Sequence, residues 1–312
     1  IPETESMYYT DQPDGYRLFS GTVHMGDKKI LSTEVGVEGN GNYAQKLTDL
    51  TDQINISFAS GINQMVLHGS CYSGEYHGVG NQNGYVPGIS WPGYEGFGLT
   101  SYANAWGERQ VQWGMMGDSM KYVARNQYVM RQGEAKVDLA FFRNTYFESQ
   151  MYQPLFVSNL EQYGYSYDFI SPALMDLDSA KVSTQNGQPV LDADGPAYKA
   201  LIVNHENHKG NQQHPDEMQN LVPLDLSLDA ANQLLEYAKA GLPIVFVGEL
   251  PSTAKFFTES DEDITKIVEQ IISFENVYQV TTERDLPALL QQIDITPDTS
   301  YAQPSSLLSQ HR

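Results

Sequence analysis

The chain has 312 residues, a 40% hydrophobic fraction and a formal net charge of −21. Its length favours two domains, at roughly 100–200 residues each, and no run of about 18 apolar residues offers a membrane span. The acidity repels phosphate backbones and speaks against nucleic acid as a partner, whereas a neutral sugar feels no such repulsion.

The opening segment IPETE holds Glu3 and Glu5 in a short extended stretch. Two carboxylates there suit a hard cation such as Ca²⁺, which takes oxygen ligands, or equally a solvated terminus. Residues 14–24 read as a helix, and 29–33 (KILST) as a short strand ending at Glu34. A Gly/Asn loop follows. Over 43–60, Leu47, Leu50, Ile54 and Phe58 fall on one helical face, and Gly61 stands where a left-handed cap is expected. Residues 63–67 form a second strand, ending at His68. The result is a β-α-β unit, the building block of parallel sheets.

Residues 69–113 carry nine glycines between Gly69 and Gly98 and all three tryptophans. A connection this long is a lid, a binding loop or disorder, and its aromatic richness argues against disorder. A helix over 116–132 closes this part. From Ala135 a fresh alternation begins, with strands at 137–142, 200–203, 243–247 and 277–280. Helices are expected at 151–163, 227–240, 261–273 and 284–293, the second of them capped by Ser227 and Gly241. Such alternation predicts a Rossmann-like or flavodoxin-like α/β domain over 135–295, with 296–312 as tail or linker. No GxGxxG and no GKS or GKT follows its first strand, so no nucleotide fingerprint is present.

Glu34 is the first candidate for chemistry. Functional groups of parallel barrels sit where strands end, and Gly36, Gly39 and Gly41 let the backbone turn beside a ligand. A carboxylate there serves as base, nucleophile or oxocarbenium stabiliser, or is simply a solvated loop residue. His68, ending the next strand, faces the same pocket in that arrangement. Trp91 and Tyr94 form an aromatic loop suited to the apolar face of a sugar ring, with Tyr72 and Trp106 sharing the work. The alternative is that these aromatics pack the loop against its own domain. Cys71, the single cysteine, excludes an internal disulfide framework and a cysteine-rich zinc site, and reads as a small buried residue. His205, His208 and His214 lie in a polar, turn-like segment that reads as surface loop rather than metal site.

The runs KKILSTEVG, FASGINQMVLHG, SWPGYEGFG, YVARNQYVMRQG and KVDLAFF, in that order, resemble the family 106 glycoside hydrolases, the α-L-rhamnosidases. The resemblance covers about residues 1–250 and is nearest to secreted members. It implies the latter part of a distorted (β/α)8 barrel over 1–134, then a glutamine-amidotransferase-like α/β domain. It also implies inverting cleavage of terminal α-L-rhamnose by two carboxylates and a bound calcium, in an extracellular setting. Glu34 matches the family's strand-end general base. An upstream glutamate pair of the family matches Glu3 or Glu5, and the resemblance makes these two the candidate calcium ligands. The general acid belongs to an earlier barrel strand, and nothing before Glu34 matches it. A partial barrel exposes strand edges, so the expected partner is the N-terminal half of the same enzyme, as a separate chain or fragment. The alternatives are a barrel glycosidase acting on galactosides or uronic-acid glycans, and a non-catalytic carbohydrate-binding subunit.

Overall fold

A computed structural model describes residues 2–6, 13–36, 45–68, 106–107, 110–143, 160–205 and 225–312. The chain divides into two units. The first holds residues 1–16 and 30–132, the second 17–29 and 133–312.

The first unit is built on three strands, β1 (Glu3–Glu5), β2 (Ser32–Val35) and β3 (Gln64–Leu67), in the spatial order β1-β2-β3 and all parallel. Between β1 and β2 the chain forms the short helices α1 (Pro13–Arg17) and α2 (Ser20–His24). The helix α3 (Leu47–Ala59) connects β2 to β3, and α4 (Met116–Met130) follows later in the chain. Side chains alternate across a strand, so the sheet has two distinct faces. On one, Val35, Met65 and Leu67 pack with Leu50, Ile54 and Phe58 of α3 and Met116 and Val123 of α4. The other carries Glu3, Glu5, Ser32, Glu34, Gln64 and Val66, which share a register.

The second unit is built on a larger sheet. Its strands are β4 (Leu139–Phe142), β5 (Tyr167–Ile170), β8 (Ala200–His205), β10 (Ile244–Gly248) and β12 (Val277–Val280). All are parallel, in the order β12-β10-β8-β4-β5. Numbered within the sheet by sequence, the order is 2-1-3-4-5. Between β5 and β8 lie the single-turn helix α5 (Pro172–Met175) and a hairpin of β6 (Val182–Gln185) and β7 (Gln188–Leu191). Asn186 and Gly187 both take positive φ there, the turn that a two-residue hairpin requires. The short pair β9 (Asp225–Leu226) and β11 (Thr253–Ala254) flanks α6 (Leu228–Lys239) and β10, while α7 (Asp261–Ile271) and α8 (Leu286–Gln292) complete the unit. Ser227 caps α6 as expected, its hydroxyl accepting from the Ala230 N–H at 3.2 Å.

Both faces of this sheet are buried. Ala140, Phe142, Leu201, Val203, Ile244 and Phe246 meet α6 and α7 on one side. Leu139, Phe141, Ala200, Ile202, Val245 and Val247 meet α8, Leu160 and Leu18 on the other. That arrangement explains why the strands read as continuous apolar runs.

Three sequence expectations change. Residues 296–312 do not behave as tail or linker but lie on the second unit. Lys136 N–H donates to the His311 carbonyl at 3.0 Å, and Ser305 N–H to the Gln162 carbonyl at 2.9 Å. Lys199 Nζ bridges Asp138 at 2.6 Å and Asp298 at 2.5 Å, and His311 reaches Asp298 at 2.8 Å. A few polar residues suffice because Asp138 is buried and requires charged partners. The expected helix over 14–24 is likewise two short helices, whose second half belongs with the second unit. Of the expected helix at 151–163, residues 160–163 are a single 3₁₀ turn and the rest lie outside the described residues.

Candidate active site

The site is built on the face of the three-stranded sheet opposite α3 and α4. Glu34 occupies the third position of β2 and is half-buried. Its register partner on one side is Glu5, also half-buried, and on the other Val66. Register partners in adjacent parallel strands stand about 4.8 Å apart at their backbones, so the two carboxylates leave the same face side by side. Glu3 stands two residues earlier and is exposed, and Ser32 Oγ donates to its carboxylate at 2.7 Å. Two buried threonines, Thr4 and Thr33, point to the opposite face. The strand sequences ETE and STEV thus sort their acids to one side.

Just beyond Glu34, β2 ends at a constrained turn. Gly36 has φ of +89°, and a Cβ there would fall on the indole of Trp106. Trp106 is 5% exposed, belongs to the helix-side core, and donates its indole N–H to the Gly36 carbonyl at 3.2 Å. It holds the turn beneath Glu34 from within the core. His68 follows β3 directly. Its N–H donates to the Val35 carbonyl at 2.9 Å, and its own carbonyl accepts from the Trp106 N–H at 3.4 Å. His68 is therefore joined by its backbone to the residue after Glu34.

Of the residues read from the sequence as site candidates, Glu34, Glu5 and Glu3 share one face, and His68 adjoins its carboxyl end. Tyr72, Trp91 and Tyr94 lie outside the described residues, as do Cys71, His208 and His214. The pairing of Glu5 with Glu34 goes beyond the sequence expectations. Its signal is present in the period-two spacing of Glu3 and Glu5 within an extended segment.

Carboxylate oxygens suit a hard cation such as calcium. No group of three or more His, Cys, Asp or Glu side chains among the described residues is placed to hold a metal ion, whereas calcium takes roughly six to eight oxygens. No helix among the described residues is long and apolar enough to cross a membrane.

A family model described as alpha-L-rhamnosidase, glycoside hydrolase family 106, matches residues 3–312. No curated protein matches the chain. Among solved structures, a rhamnosidase from Novosphingobium sp. PP1Y is similar with a TM-score of 0.64 and 16% identity, over 96% of this chain and 26% of that one. The present chain therefore spans about a quarter of that protein's length. An apo exo-carrageenase of glycoside hydrolase family 42 from Bacteroides ovatus gives a TM-score of 0.48 and 11% identity, over 94% of this chain and 34% of that one.

Proposed function

The chain belongs to the family 106 α-L-rhamnosidases, and from that premise we propose that it forms part of an enzyme that hydrolyses terminal α-L-rhamnosyl residues, with Glu34 as the reacting carboxylate. The observation that carries this reading is the in-register pair Glu5 and Glu34 on the face of a parallel sheet opposite α3 and α4. In this reading the three strands are a stretch of (β/α)8 barrel wall, and their polar face lines the barrel mouth. The second unit is a doubly wound domain of flavodoxin-like order, glutamine-amidotransferase-like by family resemblance.

Inversion sets a distance requirement. Acid and base stand roughly 6.5–9.5 Å apart, to leave room for the attacking water. Register partners on neighbouring strands start closer than that, so Glu5 is a poor choice as the acid opposite Glu34. We assign Glu34 as the general base that takes the water's proton. Glu5 is its charged neighbour, orienting the water or contributing oxygen ligands to a cation completed by groups outside the described residues. The general acid that protonates the leaving oxygen comes from the remainder of the enzyme. The chain alone is therefore inactive, and the protein acts on extracellular glycans.

The test is hydrolysis of an aryl α-L-rhamnoside by the full-length protein. Glu34→Gln should lower kcat about 10³-fold, the scale of a lost general base, while rhamnose binding persists. Proton NMR of the first-formed product should show the inverted anomer. An unchanged kcat removes Glu34 from the mechanism. A wild-type enzyme inert on rhamnosides but active on galactosides or uronic-acid glycans overturns the substrate.

A further inference from the structure

Among the described residues, the ladder between β2 and β3 ends with the bond from the His68 N–H to the Val35 carbonyl, at 2.9 Å. Past that rung stand the Gly36 and His68 carbonyls, one at the end of each strand. Strand ends beyond their last rung fray unless another group satisfies their backbone. Glu34 is the residue just before this rung, so its placement depends on whether the two ends stay closed.

One residue reaches both carbonyls. Trp106 donates its indole N–H to Gly36 at 3.2 Å and its backbone N–H to His68 at 3.4 Å. With the rung itself, these bonds join Val35, Gly36, His68 and Trp106 in a closed circuit. The indole is seated in the core cluster that also holds Val35, Leu50 and Ile54. It fits the turn closely, because a Cβ on Gly36 would fall 2.3 Å from the indole nitrogen. Val35 and Glu34 leave β2 on opposite faces, so the indole lies behind the strand, away from the Glu34 carboxylate. A ring buried there supports the site from its core side and offers no open face for a sugar to stack on.

We propose that Trp106 is a positioning residue for the site: its indole N–H, rather than its ring face, holds the end of β2 against the end of β3 and so fixes where the Glu34 carboxylate stands. The catalytic part of this proposal rests on the reading of Glu34 as the reacting group. A reacting group displaced by about 1 Å can cost about 10²-fold in rate. The signature of such a displacement is a fall in kcat at constant KM. A ring that stacked on the sugar would act on ground state and transition state alike, and its loss would raise KM instead.

The test uses the full-length enzyme and two replacements of the indole. Trp106→Phe keeps an aromatic ring in the core and removes the N–H. Replacing Trp106 by β-(3-benzothienyl)alanine keeps the bicyclic shape and puts sulfur where the N–H stands. Phe58→Leu trims the same core without removing a hydrogen bond, and controls for loosened packing. On an aryl α-L-rhamnoside, kcat should fall about tenfold in both Trp106 replacements with KM held within about twofold, and should stay within about twofold of wild type in Phe58→Leu. In a Glu34→Gln background, Trp106→Phe should lower the residual kcat by less than about twofold, because residues that act through one group are not additive. Hydrogen exchange over 66–68 should quicken about tenfold in the benzothienylalanine enzyme while exchange over 50–58 in α3 is unchanged. Unchanged exchange over 66–68 in that enzyme overturns the proposal, as does an equal fall of kcat in Phe58→Leu or a full additional loss in the Glu34→Gln background. A raised KM with unchanged kcat overturns it in favour of sugar stacking. Should Trp106→Phe not fold, the benzothienylalanine enzyme carries the decision. If the wild-type enzyme cleaves no rhamnoside, the functional reading falls by itself, and the exchange result still decides whether the indole N–H holds the strand ends.

Discussion

The two parallel sheets bury their faces differently. The five-stranded sheet is covered by helices and apolar side chains on both sides, and its inner strands contribute alternate residues to two separate cores. The three-stranded sheet buries one face against α3 and α4 and leaves acids, Gln64 and Val66 on the other. A sheet sealed on both sides gains stability and leaves neither face open to a ligand. The three-stranded sheet carries acids in place of apolar side chains on one face, and Glu5 and Glu34 stand there in register.

Substitutions can break this contrast. The largest expected effect is Phe246→Ala, in the doubly covered sheet, which should cost about 3–5 kcal/mol by loss of contacts and a residual cavity. Urea unfolding would measure it. A loss below about 1 kcal/mol would mean the core is less tightly packed than its burial implies. Next is Gly36→Ala, where a positive φ and the Trp106 indole oppose any side chain, at about 2–3 kcal/mol. It should also lower kcat, because the turn supports Glu34. Asp138→Asn should follow at about 2 kcal/mol, since it weakens a buried charge-assisted network without touching the three-stranded sheet. Val66→Thr should be smallest, within about 0.5 kcal/mol, because Val66 is 38% exposed on the face that bears the acids.

Acid sharpens the same contrast. Burial pushes Asp298 up, but the hydrogen bonds and charges of Lys199 and His311 outweigh it and hold the group below its ordinary range. A depressed carboxyl contributes stability above its unfolded value and loses it as pH falls through the folded one. Protection against hydrogen exchange over 296–312, taken relative to the intrinsic rate at each pH, should therefore stay flat down to about pH 4 and fall only below it. A loss of protection already at pH 6 would show that another group governs this segment.

Much of the architecture was legible because periodicity reports burial. The Leu47, Leu50, Ile54, Phe58 face, the Ser227 cap and the apolar runs of β4, β8 and β10 all appear near their expected places. What escaped was structure fixed by long-range contacts. β1 was read only as a short extended stretch, and its place in a sheet comes from pairing with β2. β5 contains Asp168, a residue strands usually avoid, and it is tolerated because three side chains satisfy it. The hairpin of β6 and β7 carries a strong turn signal in Asn186-Gly187, but its polar flanks lack the alternation that marks a strand. In the candidate site, the position of Glu34 near the end of a strand was readable from the glycines that follow it in sequence. The partnership of Glu34 with Glu5 was not, because register between strands so far apart in sequence is a tertiary property.

The route of residues 17–29 into the second unit has a consequence for how the gene can be divided. The second unit is discontinuous in sequence, with residues 17–29 contributed from within the first. A gene segment beginning at residue 133 would encode the five strands but leave Asp168 without Ser20 and His24, and Phe169 without α2. Recombination at a single junction cannot transplant this domain intact. Its inheritance is bound to that of the strands bearing Glu5 and Glu34, so the two parts are expected to be gained, lost and exchanged among genomes as one.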